Sequence, residues 1–159
     1  MEAFSFPFRQ LFKEQLSEKE QELIAKAAEA AQQAYAPYSH FRVGAALLLQ
    51  DGRLIQGANQ ENAAYPAGIC AERAALAAIP RNEAHRILSI AVAYLPPAGQ
   101  NNTKHAPLSP CGICRQSILE AQAFQQSPIA VYMTSPEGSV IVVPDASHLL
   151  PFHFGKEFL

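Results

Sequence analysis

The chain has 159 residues, enough for one domain that buries roughly two-thirds of its unfolded surface and needs no disulfide staples. Apolar residues at 49% exclude a disordered chain, and charged residues at only 16% leave much uncharged surface suited to burial against other subunits. The formal net charge of −2 gives no reason to expect a nucleic-acid polymer or an anionic membrane as partner, and no apolar run approaches the roughly 18 residues that span a bilayer.

The run Met1–Phe8 has no basic stretch followed by an apolar core, so no secretion signal is expected and the expected location is cytoplasmic. Residues 1–16 are expected to form an N-terminal arm on the surface of this or a neighbouring subunit, within a single domain spanning 1–159. Ser17 and Glu20 spell a capping box, and Leu23, Ile24, Ala27, Ala30, Ala31 and Ala34 follow at helical spacing, which predicts an amphipathic helix from Ser17 to about Tyr35, ended by Pro37. Phe41–Leu49 reads as a buried strand, Asp51-Gly52 as a hairpin turn, and Arg53–Gly57 as the returning partner. A loop over Asn59–Gly68 leads to a short Ala-rich helix, Cys70–Ile79, closed by Pro80. Ile87–Leu95 is apolar on both faces, as expected of a central strand covered on two sides. The connection Pro96–Pro110 carries four prolines and is long enough to suggest a function or an insertion. A second helix is predicted over Cys111–Phe124, with Pro110 suited to its first turn, then strands Ile129–Met133 and Val140–Val143, and a short helix capped by Asp145 and running through Leu150. This order, α-β-β-α-β-α-β-β-α, predicts an α/β fold with five strands in one sheet and helices on both faces.

The three cysteines are an odd number and too few for a disulfide scaffold. The pair Cys111-Gly112-Ile113-Cys114, taken alone, is open to two readings, a metal site or a redox pair. Cys70, Cys111 and Cys114 all fall at the starts of predicted helices, where the helix dipole favours anions and lowers thiol pKa. Three thiolates meeting there can hold Zn²⁺ and leave its fourth tetrahedral position for water, the pattern of catalytic rather than structural zinc. Cys70-Ala71-Glu72 with Pro110-Cys111-Gly112-Ile113-Cys114 matches the zinc-deaminase signature, with Cys in place of the usual first His. The five histidines are scattered and none falls at metal spacing with the cysteines. No basic stripe interleaved with aromatics is present, which argues against a polynucleotide substrate.

Longer blocks extend this match. Tyr38–Leu47 (YSHFRVGAAL), Asn59–Arg73 (NQENAAYPAGICAER) and Ser109–Gln116 (SPCGICRQ) resemble, in register, the cytidine deaminases, over about Ala34 to Gly155. The resemblance is to their short, three-cysteine, homotetrameric subclass. It implies a three-layer α-β-α fold around a mixed five-stranded sheet, and one Zn²⁺ per chain held by Cys70, Cys111 and Cys114. It also implies hydrolysis of cytidine and 2′-deoxycytidine, with Glu72 moving protons between water, ring N3 and the leaving amino group. Asn59 and Glu61 are implied as ligands of the ribose, Phe41 as an aromatic wall beside the base, and Arg73 as a cation offsetting the thiolate charge. Phe154 is implied to reach the base in a neighbouring subunit's site, so that a homotetramer shares its active sites. Three rival readings remain at this point: a deaminase for another cytosine nucleoside, a zinc-stabilised binding module without turnover, and a thiol redox protein, which leaves Cys70-Ala71-Glu72 unexplained.

Overall fold

The structure, a computed structural model, describes residues 3–96 and 106–159. Among the described residues six strands form one sheet: β1 (Arg9–Phe12), β2 (Arg42–Leu49), β3 (Leu54–Ala58), β4 (Ile87–Leu95), β5 (Ala130–Thr134) and β6 (Ser139–Val143). Their spatial order is β1-β6-β5-β4-β2-β3, with β4 and β5 parallel and every other pair antiparallel. Three α-helices cover the sheet: α1 (Glu18–Ala31), α2 (Ala71–Ala77) and α3 (Gly112–Gln125).

The period-two alternation of the strands divides the core into two layers. Ala45, Leu47 and Leu49 of β2 and Val131 and Met133 of β5 pack with Ala71, Ala75 and Ile118 on the face covered by α2 and α3. Ala46, Ala91, Tyr132 and Val142 point the other way, onto Leu23, Ile24 and Ala27 of α1. The expected three-layer α-β-α arrangement around a mixed sheet is therefore present. At two points a helix lies on strand backbone with no room for a side chain. A Cβ at Gly44 would fall 2.1 Å from the Ala27 carbonyl oxygen of α1, and one at Gly57 would fall 2.3 Å from the Ala75 nitrogen of α2. Gly57 thus sets the depth at which α2 sits, and with it the position of the residues at its start.

Topology brings the two later helices to one edge. β2 is antiparallel to both β3 and β4, so β3 and β4 run in the same direction, and Gly44 pairs with both Ala58 and Ala93 near their carboxyl ends. A parallel β4–β5 pair requires a crossover, which contains α3. Both α2 and α3 therefore begin beyond the carboxyl ends of β3 and β4, the two strands that flank β2, the usual place for a ligand site in an α/β sheet.

Four local expectations are corrected. The sheet has six strands rather than five, because Arg9–Phe12 of the expected arm pairs antiparallel with β6, Arg9 opposite Val142 and Phe12 opposite Ser139. The first helix ends at Ala31 instead of Tyr35: tight bonds from Gln32 and Gln33 N–H to the Glu29 and Ala30 carbonyls close it, and Tyr35 exchanges backbone bonds with Asn59 and Glu61 at 3.0 and 2.8 Å. The second helix spans Ala71–Ala77, shorter at both ends than expected. Asp145 does cap a turn, accepting from Ser147 N–H at 2.9 Å, but the turn is a 3-10 segment, Ala146–Leu149. Of the long connection Pro96–Pro110, residues 97–105 lie outside the described residues.

Candidate active site

Cys70 is the N-cap of α2 and Cys111 the N-cap of α3, while Cys114 sits in the first turn of α3. Because both helices start at the same sheet edge, the three sulfurs lie within 4.8 Å of one another, with Cys70 and Cys111 Sγ 3.9 Å apart. Sulfurs about 2.3 Å from a tetrahedral zinc stand about 3.8 Å apart, so the cluster has the size of a zinc site. The expectation that the helix starts lower all three thiols is met only at Cys111. Burial pushes up the Cys70 and Cys114 thiols, and the neighbouring Glu72 carboxyl adds to this. Burial acts on Cys111 too, but hydrogen bonds led by the Cys114 N–H outweigh it and lower that thiol. A donor set of this kind, with crowded sulfurs that resist carrying negative charge side by side, suits a divalent soft-tolerant cation.

Glu72, two residues after Cys70, is 3% exposed. Cys70 has extended backbone (ψ 156°) and stands outside the regular helix, so this spacing does not send the two side chains to opposite sides of a helix. Burial pushes the Glu72 carboxyl above its ordinary pKa, the direction required of a group that must both take and give a proton near neutrality.

A cleft of about 520 Å³ adjoins the cluster, lined by Tyr38, Ser39, Asn59, Glu61, Tyr65 and Cys70 among others. Asn59 is anchored to the start of β2: its Oδ1 accepts from Val43 N–H at 2.8 Å and its Nδ2 donates to the Phe41 carbonyl at 3.0 Å. Glu61 accepts from Tyr38 N–H at 2.9 Å, from Ser39 N–H at 3.2 Å and from the Ser39 hydroxyl. That hydroxyl, above all, holds the Glu61 carboxyl below the usual range.

The structure thus brings Cys70, Cys111, Cys114 and Glu72 together, with Asn59 and Glu61 in the adjoining cleft. Phe41 lies at the start of β2 with its ring 5.4 Å from that of Tyr94, and is not among the residues lining the cleft. Arg73 lines a separate hollow with Ile69 and Ser117, and among the described residues it makes no hydrogen bond or ion pair, to sulfur or otherwise. Phe154 is 60% exposed, stacked on Phe158 at 5.5 Å and held by Gln116 Nε2 donating to its carbonyl; it lies along α3 and is not among the residues lining this chain's cleft. Sequence reasoning missed Ser39 and Tyr65 in the cleft, although both lie inside the quoted blocks. It also missed Arg115, whose guanidinium donates to the Pro110 carbonyl (2.9 Å), Ser109 Oγ (3.0 Å) and the Leu149 carbonyl (3.2 Å), bracing the turn that carries Cys111. Its signal was its place beside Cys114 in the first turn of α3.

Comparison with known proteins points the same way. Residues 17–130 match the family described as the cytidine and deoxycytidylate deaminase zinc-binding region. A cytidine deaminase of Sporosarcina psychrophila is 40% identical over 139 residues, 87% of this chain and 93% of that protein. One from Halalkalibacterium halodurans is also 40% identical, over 86% of this chain and 95% of its own. The crystal structure of cytidine deaminase from Burkholderia pseudomallei superimposes with a TM-score of 0.70 at 38% identity, covering 87% of this chain and all of that one. Among the described residues no helix is long and apolar enough to cross a membrane. With a three-cysteine cluster of zinc dimensions, a buried carboxyl beside it and relatives matched over nearly their whole length, the chain belongs to the family of zinc-dependent cytidine deaminases.

Proposed function

We propose that the protein hydrolyses the exocyclic amine of cytidine and 2′-deoxycytidine, yielding uridine or 2′-deoxyuridine and ammonia, as a cytoplasmic enzyme of pyrimidine salvage. The observation that carries this reading is the buried Glu72 carboxyl beside the Cys70–Cys111–Cys114 cluster, next to a cleft whose rim is built from hydrogen-bonding residues. Zn²⁺ held by the three cysteines supplies, when bound, a Lewis acid that makes water a competent nucleophile near neutral pH.

The chain's own residues do the rest. Glu72, with its pKa raised by burial, takes a proton from water and gives it to ring N3, which makes C4 electrophilic. The hydroxide so formed adds to C4, and Glu72 then carries the proton of that new hydroxyl to the amino nitrogen, so that the C4–N bond breaks, ammonia leaves as a neutral molecule and the carboxylate is restored. Asn59 and Glu61 grip the sugar around its 3′-hydroxyl, an amide and a carboxylate offering donor and acceptor two residues apart. Phe41 stands beside the base, Arg73 offsets the surplus negative charge of three thiolates, and a homotetramer completes each site with Phe154 of a neighbouring subunit. Residues 1–159 act as one domain in this assembly.

The test is incubation with cytidine while following loss of the cytosine absorbance band. Turnover of cytidine and 2′-deoxycytidine is expected, with free cytosine a poor substrate because it lacks the sugar. No turnover of cytidine at any zinc loading overturns the reading, and a preference for the free base overturns the nucleoside part of it.

A further inference from the structure

We infer that Ser39 is a positioning residue: its hydroxyl and N–H hold the Glu61 carboxylate so that the acceptor site left over is set for the 3′ group of the sugar. The inference rests on the reading of Glu61 as a sugar ligand and says how that ligand is set. A carboxylate offers about four acceptor sites. Three protein donors already use Glu61: Tyr38 N–H and Ser39 N–H share Oε2, and the Ser39 hydroxyl meets Oε1.

The direction of the Ser39 bond is what matters. Ser39 Oγ accepts from Phe41 N–H at 3.0 Å, so its one proton is free to point at Glu61 and does so. A directed chain therefore runs from Phe41 N–H through the Ser39 hydroxyl to Glu61 Oε1. Accepting from Phe41 makes the Ser39 hydroxyl a stronger donor, and the chain pins Glu61 Oε1 in place. His40, between Ser39 and Phe41, adopts the left-handed region (φ 56°), and its N–H bonds the Ala36 carbonyl at 3.0 Å. A non-glycine residue persists there where surrounding contacts over-determine the backbone. The turn is thus built around the carboxylate before any ligand arrives. A 3′-hydroxyl can donate to the remaining acceptor site. A 3′-hydrogen leaves that site unpaired, and a 3′-fluorine sets one acceptor against another.

In the wild-type protein KM is expected to be lowest for cytidine, higher for 3′-deoxycytidine and highest for 3′-deoxy-3′-fluorocytidine. Ser39→Ala, with zinc content and circular dichroism like wild type, is expected to raise the cytidine KM by up to roughly 10- to 150-fold, with kcat within about threefold, as loss of a bond to a charged group predicts. The preference for cytidine over 3′-deoxycytidine should shrink by a similar factor, and Ser39→Thr, which keeps the hydroxyl, should recover most of it. Equal KM values for cytidine and the fluoro analogue in the wild type overturn the inference, and this arm holds even if Ser39→Ala fails to fold. An unchanged KM and preference in a folded Ser39→Ala protein overturns it as well. Glu61→Gln separates the levels. If Glu61→Gln abolishes the sugar preference while Ser39→Ala keeps it, the Ser39 inference falls alone; if Glu61→Gln also keeps it, the sugar reading of Glu61 falls with it.

Discussion

A carboxyl group only 3% exposed works against the fold that contains it, because its charged form loses hydration. Burial of Glu72 is therefore better accounted for by the proposed proton transfer than by packing, and that task can be separated from the cysteines'. Glu72→Gln keeps shape and burial but cannot move a proton. Zinc content and fold are expected to survive while kcat falls about 10²–10⁴-fold, the usual contribution of a positioned acid–base group. Cys111→Ala should instead lose the metal along with the activity, since two sulfurs cannot close the site. Metal analysis and steady-state rates on both variants check this; zinc retained in full by Cys111→Ala would show the ligands misassigned. These residues were legible in the sequence because two short motifs put them at helix starts. The rest of the site was less so. That Asn59 is bonded to Val43 and Phe41 depends on β2 and the following loop lying side by side, and that Arg115 reaches Leu149 depends on a contact 34 residues away. No local spacing encodes either.

The segments differ in the same way. α1 was read from its capping box and periodicity, and the structure retains both, with Glu20 and Ser17 bonded reciprocally. Its last turn was misjudged because Pro37 marks only where a helix cannot continue, whereas Tyr35 is already engaged by Asn59 and Glu61. β1 escaped notice for a related reason: four mostly exposed residues carry no clear alternation, and pairing with β6, far along the chain, makes them a strand. A side-chain junction fastens this strand's neighbourhood. Glu20 Oε1 accepts from Arg9 at 2.9 Å and from the Tyr132 hydroxyl at 2.7 Å, joining β1, α1 and β5. Burial pushes the Glu20 carboxyl up, but bonds from Tyr132, Ser17 and Arg9 outweigh it and hold its pKa at about 2, below the ordinary 4.5. Between those values the unfolded chain binds the proton and the folded one does not. The junction's contribution is therefore full above pH 4.5 and lost as pH falls towards 2. Tyr132→Phe removes one bond to a charged group, about 1.5–3 kcal/mol, and should lower the melting temperature at neutral pH by several degrees. Glu20→Gln should do the same, and its melting curve should converge with that of the wild type as the pH falls through this window. Parallel curves for the two proteins across that range would show that Glu20 does not carry the acid sensitivity.

Across the molecule, many phenylalanines among the described residues face outward. Phe4, Phe8, Phe12, Phe124, Phe152, Phe154 and Phe158 are all exposed, on a chain with few charges. Apolar surface of this kind suits the homotetramer proposed above. Phe154 is the informative case, because it lies along α3 with Phe158 and is not among the residues lining its own cleft, so the proposed contact with a base is one made in another subunit's site. Complementation tests this directly. Chains carrying Cys111→Ala have no metal centre but an intact Phe154, and Phe154→Ala chains have the reverse. If Phe154 acts across a subunit interface, co-expressed or co-refolded mixtures contain some sites with a working metal centre and an intact neighbouring Phe. An apolar contact with the base is worth about 0.5–1.5 kcal/mol beyond burial, so those sites should show a KM roughly 2- to 12-fold below that of Phe154→Ala alone. Sedimentation of each variant must first show the same oligomer as the wild type. A mixture with no gain in affinity over Phe154→Ala, or a wild-type enzyme that is active as a monomer, would place the action of Phe154 within its own chain, where it only covers α3.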